Sequence, residues 1–446
     1  MFVNTVTYAI IMLKFQMSYK YLLIFFVLIL FTPISVKAYS VLTHEALIDA
    51  SWEKGILPLL KQKYPLATED ELKKSQAYAY GGSIIPDLGY FPFGNVYFTN
   101  LAHYVRSGDF VDALFSESQS LNEYAFACGA LCHYMGDKYG HPIATNFVVP
   151  EVYPKIEKKF GHKVTFEEDP IAHKRVEIAF DVLETARGNY ASQAYHNFIG
   201  FQIARPVLER AFLKTYGQDI NTVFGDLDLT LATFRWSIKS FIPTVTHIAW
   251  VIKKRDIRIL NPSANSHNFH YKMGKKQYYA EFGAKRQKPT LKAQILSFFI
   301  RILPKVGPLK MLRFKDVGPD GEKLFVKSFD TVLVHYNVAL KLLHSKKAVF
   351  PDVDYDTGKP SMFGEYQLSD KTYSEMVIKL NELKFNNLTA PLKQNILNYY
   401  GKIDTTALAQ EDPKNWEKTY EDLQALKATQ PIKPDSLKNA KGEYYK

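Results

Sequence analysis

Residues Leu121–Tyr139 read Leu-Asn-Glu-Tyr-Ala-Phe-Ala-Cys-Gly-Ala-Leu-Cys-His-Tyr-Met-Gly-Asp-Lys-Tyr, and this stretch decides the fold class. Side chains that suit a protein core recur in it at three- and four-residue steps, on one face of a helix. They are Tyr124, Cys128, Leu131 and Met135. The same period runs through residues 172–185, 227–253, 291–303 and 322–343, whereas the alternating runs typical of strands are scarce. The sequence therefore predicts an all-α protein.

The composition excludes several classes of chain. Of 446 residues, 47% are hydrophobic and 23% are charged, fractions typical of a folded globular protein and not of a disordered one. The 22 Pro and 23 Gly are too few for a collagen-like or low-complexity chain. Two cysteines exclude a scaffold built from disulfides. Because a disulfide between Cys128 and Cys132 would strain their helix, we expect free, buried thiols.

Positive charge is unevenly distributed along the chain. Lysines and arginines outnumber acids by 56 to 45, a net charge of +11 that favours an anionic partner such as nucleic acid or a phospholipid surface. Residues 251–320 carry 16 lysines and arginines against four acids. We therefore expect a boundary near residue 255, with a catalytic domain over residues 39–255 and a basic helical extension over residues 256–446.

Residues 1–38 are typical of a secretory signal peptide. Lysines precede an unbroken apolar run over Tyr21–Phe31, and two small residues, Val36 and Ala38, precede a cleavage point. A membrane span needs about 20 apolar residues, so cleavage after Ala38 is favoured over the alternative of an uncleaved anchor. The mature protein then begins at Tyr39 and is secreted or periplasmic.

Side chains of types that bind metals occur at helical spacing near the end of Leu121–Tyr139 and just after it. His133 and Asp137 lie one turn apart, because residues i and i+4 of a helix point the same way. His141 follows one further turn on, where Gly140 and Pro142 are predicted to end the helix. A carboxylate then lies between two imidazoles along one helix edge, where it could bridge two metal ions.

A second pair and three isolated residues extend this set. His173 and Glu177 repeat the same spacing, Asp87 lies in a Gly-Gly-Ser-Ile-Ile-Pro-Asp turn, and His103 lies in Leu-Ala-His-Tyr. Each of these is a weak signal when taken singly, since a lone His is more often a core or surface residue than a ligand. Their combination in one chain, with His44 near the predicted new N-terminus, favours a metal centre.

In composition and order, this set resembles the zinc-dependent phospholipase C family and its relatives, the single-strand-specific zinc nucleases of fungi and plants. The resemblance covers about residues 39–180, and it implies an all-α fold that holds up to three zinc ions. It implies one zinc held by Asp87, His103, His133 and Asp137, a second held by His141, His173 and Glu177, and a third held by Tyr39, His44 and the bridging Asp137. Tyr39 would contribute its α-amino and carbonyl groups as the mature N-terminal residue.

Two features depart from the family pattern. The family's N-terminal residue is usually Trp, whereas cleavage after Ala38 leaves Tyr39, whose backbone supplies the same ligand atoms. The His after the bridging Asp usually follows six residues on, whereas His141 follows Asp137 by four. This spacing is similar to that of the N-terminal domain of glycosylphosphatidylinositol-specific phospholipase D. The metal cluster is therefore better supported than the exact bond that is cleaved.

The resemblance implies a secreted zinc-dependent phosphodiesterase. Zinc lowers the pKa of a bound water and neutralises charge on a phosphodiester and in its transition state. We expect in-line attack of a zinc-bound hydroxide on a phospholipid, with Asp87 orienting or deprotonating that water. The alternatives are a zinc nuclease acting on single-stranded nucleic acid, and a binding module that has lost its chemistry. The intact ligand set argues against the binding module.

Two other segments have functional interpretations. Leu291–Lys315 interleaves apolar residues with six Lys and Arg and no acid, so it could make a peripheral membrane contact, although a core helix with a solvated basic edge is favoured. Asp352–Gly358 resembles a calcium loop only in part, because Thr357 and Phe363 occupy the places of the required Gly and Glu. We expect a solvated acidic turn there. No obligate protein partner is evident.

N-terminal sequencing of the secreted protein tests the predicted cleavage. The mature chain should begin at Tyr39, because Ala38 completes the pattern of small residues before the cut. A mature start at any other residue would remove Tyr39 from the expected zinc ligands, and a retained apolar run would support the uncleaved anchor.

Overall fold

The computed structural model describes residues 41–187, 201–235, 314–401 and 413–444, together with positions 237, 238, 254, 255 and 258. Several predictions concern residues outside these ranges. They are the signal peptide over residues 1–38, the N-terminal ligand Tyr39, nearly all of the basic segment Leu291–Lys315, and most of the region around the expected boundary near residue 255.

Helices dominate the described chain, which confirms the all-α prediction; within the described ranges the only β interactions are isolated bridges. The first part contains α1 (Val41–Ser51), α2 (Leu57–Lys63), α3 (Glu69–Gly82), α4 (Val96–Tyr104), α5 (Ser107–Ser116), α6 (Leu121–Gly140), α7 (Asn146–Val152), α8 (Pro154–Phe160), α9 (Pro170–Arg187), α10 (Arg205–Tyr216) and α11 (Ile220–Val223). The later part contains α12 (Gly318–His344), α13 (Gln367–Glu382), α14 (Ala390–Tyr400) and α15 (Pro413–Ala428). Short π turns cover Trp52–Ile56 and His141–Thr145, and short 3-10 turns cover Ile85–Tyr90 and Pro434–Ser436.

The stretch Leu121–Tyr139 lies in α6, a buried helix that contacts α3 through glycines. A Cβ at Gly129 would lie 2.0 Å from the carbonyl oxygen of Ala79, and a Cβ at Gly82 would lie 2.0 Å from that of Phe126. Only glycine permits backbones to approach this closely. The close contact brings the end of α3 beside the metal-binding part of α6.

The end of α6 differs from the sequence prediction. The α-helical hydrogen bonding stops at Gly140, but Gly140 itself keeps right-handed helical angles and the chain continues through the π turn His141–Thr145 into α7. Pro142 has no N–H to donate to the preceding turn, which ends the α-helical pattern without ending the helical path. His141 therefore belongs to a π turn and not to a helix terminus.

The later helices share their core with the first part of the chain. One continuous apolar cluster runs from Leu47 in α1 to Leu426 in α15, and a smaller one joins α7 and α9 to Phe325 of α12. The Tyr336 hydroxyl of α12 donates to the carbonyl of Cys128 in α6 at 2.9 Å. Within the described residues, the helix that was predicted over residues 322–343 is thus packed directly on the helix that carries His133.

The start of α1 is anchored by a distant carboxylate. Asp181 of α9 accepts hydrogen bonds from the backbone N–H groups of Leu42 and Thr43 at 3.0 and 3.1 Å, and from the Thr43 hydroxyl at 2.7 Å. A carboxylate at a helix N-terminus satisfies N–H groups that lack partners within the helix. This contact fixes α1, and with it His44, relative to α9.

Both cysteines are buried and free, as predicted.

Among the described helices, none combines the length and the apolar character that crossing a bilayer requires.

Candidate metal centre

Helix α6 presents His133 and Asp137 on one buried edge, as their spacing predicts. Both side chains are inaccessible to solvent. Asp137 Oδ2 lies 3.1 Å from His133 Nε2, and Asp137 Oδ1 lies 3.8 Å from Nε2 of His141 in the following π turn. The carboxylate thus lies between two imidazoles and offers a different oxygen to each.

Two further elements bring Asp87 and His103 to the same carboxylate. Asp87 lies in the 3-10 turn Ile85–Tyr90, and His103 lies in the last turn of α4. His103 Nε2 is 3.4 Å from Asp87 Oδ1, from Asp137 Oδ2 and from His133 Nε2. One ligand atom from each of Asp87, His103 and His133 lies within 4.8 Å of the others, so these three residues could hold one metal ion.

Helix α1 brings His44 to the other oxygen of Asp137. His44 Nε2 lies 3.4 Å from Asp137 Oδ1, and its ring stacks on His133 with the centroids 4.4 Å apart. Gly136 provides the space, since a Cβ there would come within 2.8 Å of the His44 ring. His44, His133 and Asp137 form a second group that could hold a metal ion.

A third group joins His141 to the second pair predicted from the sequence. His173 and Glu177 lie one turn apart on α9, with His173 Nδ1 2.8 Å from Glu177 Oε1. Glu177 Oε1 is also 3.5 Å from His141 Nε2. The three side chains are buried and their ligand atoms lie within 4.8 Å of one another. The structure therefore brings together every predicted ligand in its described part; Tyr39 is the one outside it.

Four of the imidazoles use their second nitrogen to hold an outer partner. The pairs are His133 Nδ1 with the Ser83 carbonyl at 2.8 Å, His103 Nδ1 with the Thr99 carbonyl at 2.8 Å, His173 Nε2 with Asn146 Oδ1 at 3.0 Å, and His141 Nδ1 with Asp356 Oδ1 at 3.1 Å. Because each outer partner accepts a hydrogen, the nitrogen facing the centre is the one left to bind a metal. Such outer contacts are typical of histidines that ligate metal ions.

The hydrogen bonding of the atoms that face the centre shows whether these residues fit a metal ion. Both oxygens of Asp137, Oδ1 of Asp87, Oε1 of Glu177 and Nδ1 of His173 are buried without a hydrogen-bond partner. Leaving buried carboxylate oxygens unsatisfied is costly, and a cation bound between them removes that cost. Imidazole nitrogen and carboxylate oxygen are also ligands that zinc prefers. The residues therefore fit zinc.

Electrostatics in this centre are dominated by Asp137. Burial by itself would raise its pKa, but the facing imidazoles of His133, His141 and His103 hold that pKa well below its usual range. Burial would lower the pKa of His103, but Asp137 and Asp87 raise it to about 9. The pKa of His141 is likewise about 9, because Asp137, Asp356 and Glu177 outweigh burial. Without a metal, these two imidazoles are therefore cationic at neutral pH.

A buried lysine lies beside the centre. Lys174 follows His173 on α9, is 4% exposed, and its ammonium lies 5.6 and 5.4 Å from the ring centroids of Tyr90 and Phe166. In the part of the chain that the structure describes, it forms no hydrogen bond or ion pair. Burial lowers its pKa to about 8, while the nearby carboxylates of Glu177 and Asp87 act in the opposite direction.

Two residues of this arrangement were not predicted from the sequence to belong to it, and one loop differs from its predicted environment. Asn146 and Asp356 hold His173 and His141; Asn146 was not predicted as a functional residue, and Asp356 was considered only as part of a candidate calcium loop. The expectation that Asp352–Gly358 forms a solvated acidic turn is wrong, because Asp354 and Asp356 are only 2% and 1% exposed. Asp356 contacts partners more than 200 residues away in the chain, which local spacing does not reveal.

The comparison with protein families agrees with the geometry. The family model for zinc-dependent phospholipase C matches residues 43–226, a range that contains every predicted ligand except Tyr39. The family resemblance is thereby confirmed over this range. Neither a search of curated proteins nor a search of solved structures finds a match to this chain. Asp356 lies outside the matched range.

Zinc binding should release protons at neutral pH. His103 and His141 have pKa values of about 9, so both carry a proton at pH 7 that they must lose to bind a metal. Calorimetric titration of metal-free protein in buffers of different ionisation enthalpy should give a release of about two protons between pH 6.5 and 8. Apparent zinc affinity should rise with pH over this range.

A His103→Gln variant is the matched control for this measurement, since it removes one of the two titrating imidazoles and should lower the release by about one proton. Zinc binding without proton release in the unmodified protein would contradict the predicted protonation of the metal-free centre.

Proposed function

Because residues 43–226 match the zinc-dependent phospholipase C family, we propose that this protein is a secreted zinc-dependent hydrolase that cleaves phospholipids in the manner of a phospholipase C. The observation that carries the proposal is the buried set of three adjoining groups of His, Asp and Glu around Asp137. A protein that had kept only the fold would have no reason to retain so many buried and unsatisfied ligand atoms.

Bound zinc supplies Lewis-acid neutralisation of the phosphodiester and a water of lowered pKa. The chain's own residues supply the positioning. Asp87 lies in the group that could hold a metal, with its buried Oδ1 3.4 Å from His103 Nε2, so its second carboxylate oxygen can orient the attacking water and accept its proton. Asp137 fixes the spacing between the groups, since both of its oxygens face imidazoles.

Lys174 is suited to bind the anionic substrate. Its ammonium is held by two aromatic rings near Asp87 and Glu177, which belong to two different metal groups. A cation at this place that has no ion-pair partner among the described residues can donate to a non-bridging oxygen of a phosphodiester. The same contact would stabilise the negative charge that grows on those oxygens in the transition state.

The aromatic residues of the centre favour a lipid over a nucleic acid. Base recognition by stacking needs exposed aromatic faces, whereas Tyr90, Tyr104 and Tyr355 around the centre are fully buried. Nuclease activity nevertheless uses the same metal chemistry, and the assay that tests the proposal should therefore include it.

Activity should depend on zinc and on Asp137. A chelator should abolish hydrolysis and added zinc should restore it. Asp137→Asn should reduce turnover by more than about 100-fold. Removing an outer contact of a metal ligand lowers metal affinity or activity by about 10- to 100-fold, and removing a bridging ligand should lower them further. The exposed Asp330→Asn serves as the control and should retain full activity. Full activity of metal-free protein would overturn the proposal.

The substrate is identified by assaying phosphatidylcholine vesicles and single-stranded DNA in parallel, with and without zinc. Diacylglycerol and a water-soluble phosphorylated head group are the expected products. Phosphatidic acid would indicate cleavage on the other side of the phosphorus, and nucleotide release without lipid cleavage would favour the nuclease.

Lys174→Met should lower kcat/KM by about 10- to 100-fold, the loss expected for one charge-assisted hydrogen bond. Zinc content should not change, since Lys174 binds no metal. The matched control is Lys159→Met, because Lys159 also lies over an aromatic ring, that of Phe160 at 4.4 Å, but is exposed. An unchanged kcat/KM in Lys174→Met would remove this residue from substrate binding.

A further inference from the structure

A loop beyond the family match reaches the metal centre. Residues 351–361, here called the acidic arm, contain the Asp-Val-Asp-Tyr-Asp-Thr-Gly run and follow α12. The family match ends at residue 226. Yet Tyr355 of the arm is 1% exposed, and its ring centroid lies 4.9 Å from that of His103 and 6.0 Å from that of His133. The arm therefore forms part of the wall of the centre.

The arm is held in place by the junction between α4 and α5. Ser107 Oγ donates to the Val353 carbonyl at 2.6 Å, and the Val353 N–H donates back to Ser107 Oγ at 3.0 Å. Asp352 Oδ1 accepts from the N–H groups of Gly108 and Asp109, both at 3.0 Å. The Tyr355 N–H donates to the carbonyl of His103 itself at 3.2 Å.

Two glycines make room for this contact. A Cβ at Gly108 would lie 2.0 Å from the Phe350 carbonyl oxygen at the base of the arm. Gly358, with φ of +69°, lies at the tip of the arm, where a Cβ would be 2.4 Å from the Lys138 carbonyl oxygen of α6. Backbone approaches of this kind exclude larger residues. The arm is thus fitted closely to both α5 and α6.

Asp356 is the residue through which the arm reaches the ligands. Its Oδ1 accepts from His141 Nδ1 at 3.1 Å, and its Oδ2 accepts from the hydroxyls of Tyr104, at 2.8 Å, and Tyr366. Its backbone carbonyl accepts from Asn146 Nδ2 at 2.7 Å.

Asn146 in turn extends the contact to a second ligand. Its Oδ1 accepts from His173 Nε2 at 3.0 Å. The Asp356 residue therefore holds His141 directly and His173 through Asn146, the two imidazoles of the group that also contains Glu177.

These contacts determine which nitrogen of His141 faces the centre. A carboxylate only accepts, so Nδ1 of His141 carries the hydrogen and Nε2 presents its lone pair toward Glu177 and Asp137. The two tyrosine hydroxyls satisfy the remaining oxygen of Asp356, which makes its burial tolerable and fixes the carboxylate in one orientation.

We infer that the acidic arm is a functional part of the metal centre, in which Asp356 is a positioning residue that orients His141, and through Asn146 orients His173, to bind one zinc ion. The inference rests on the proposed zinc binding but not on the substrate. It extends the catalytic unit of this protein well beyond the residues that match the family.

The test measures zinc in the full-length protein, by metal analysis after dialysis against a competing chelator of graded strength. Asp356→Ala should lower the affinity for one zinc ion by about 10- to 100-fold and leave the affinity for the other zinc ions unchanged. Asp356→Asn should retain most of the affinity, because its amide oxygen can still accept from His141 Nδ1. Thermal unfolding of the metal-free variants tests whether each is folded.

Asp354→Asn is the matched control within the arm. Asp354 accepts hydrogen bonds from Thr357 and, among the described residues, pairs with no imidazole, so this variant should bind zinc normally. If Asp354→Asn lost as much zinc affinity as Asp356→Ala, any loosening of the arm would be enough to weaken zinc binding. That result would overturn the positioning role of Asp356.

Asn146→Ala tests the contact with His173 independently and should also lower the affinity for one zinc ion. This test remains available if Asp356→Ala fails to fold. A folded Asp356→Ala or Asn146→Ala variant that retains the zinc affinity of the unmodified protein would overturn the inference for that contact. An unmodified protein that holds no zinc would instead overturn the proposed function, and the inference with it.

Discussion

The burial of the Asp137 carboxylate is the constraint on which the rest of the centre depends. A dehydrated carboxylate is costly unless positive charge or hydrogen-bond donors surround it. Four imidazoles from three helices and a π turn approach it within 3.1 to 3.8 Å: those of His44, His103, His133 and His141. The packing of α1, α4 and α6 therefore has to be accurate at this point, and small residues at Gly82, Gly129 and Gly136 are what permit it.

The outer hydrogen bonds show how the fold transmits that accuracy to the ligands. Ser83 and Thr99 hold His133 and His103 through backbone carbonyls, which move only if their helices move. His141 lies in a π turn, and its second nitrogen contacts the side chain of Asp356 in a distant loop. The least regular part of the helical path is thus the part that requires support from a distant loop.

This difference explains what the sequence could and could not predict. The pairs His133–Asp137 and His173–Glu177 follow from helical spacing, and the structure places both as expected. Asp87 and His103 are not in register with either pair, so their residue types made them weak candidates, and the family resemblance was needed to assign each of them to a particular zinc. Asp356 was not predicted to contact this centre, because its contact with His141 joins residues 215 positions apart and its loop matches a metal-binding pattern, that of a calcium loop, only in part. Likewise, Gly140 and Pro142 predict a helix end, and nothing local shows that the chain continues as a π turn.

The charge of the centre links the proposed binding of metal ions to the proposed binding of an anionic substrate. Four carboxylates are buried there, those of Asp87, Asp137, Glu177 and Asp356. With the imidazoles neutral, two divalent ions only balance these four charges, and the centre would not attract an anion. A net positive charge toward a phosphodiester must then come from a third ion or from the Lys174 ammonium, which lies beside the centre without an acidic partner among the described residues. The acidic arm therefore has two opposing effects: it orients a ligand, and its negative charge makes recognition of an anionic substrate depend on the remaining cations.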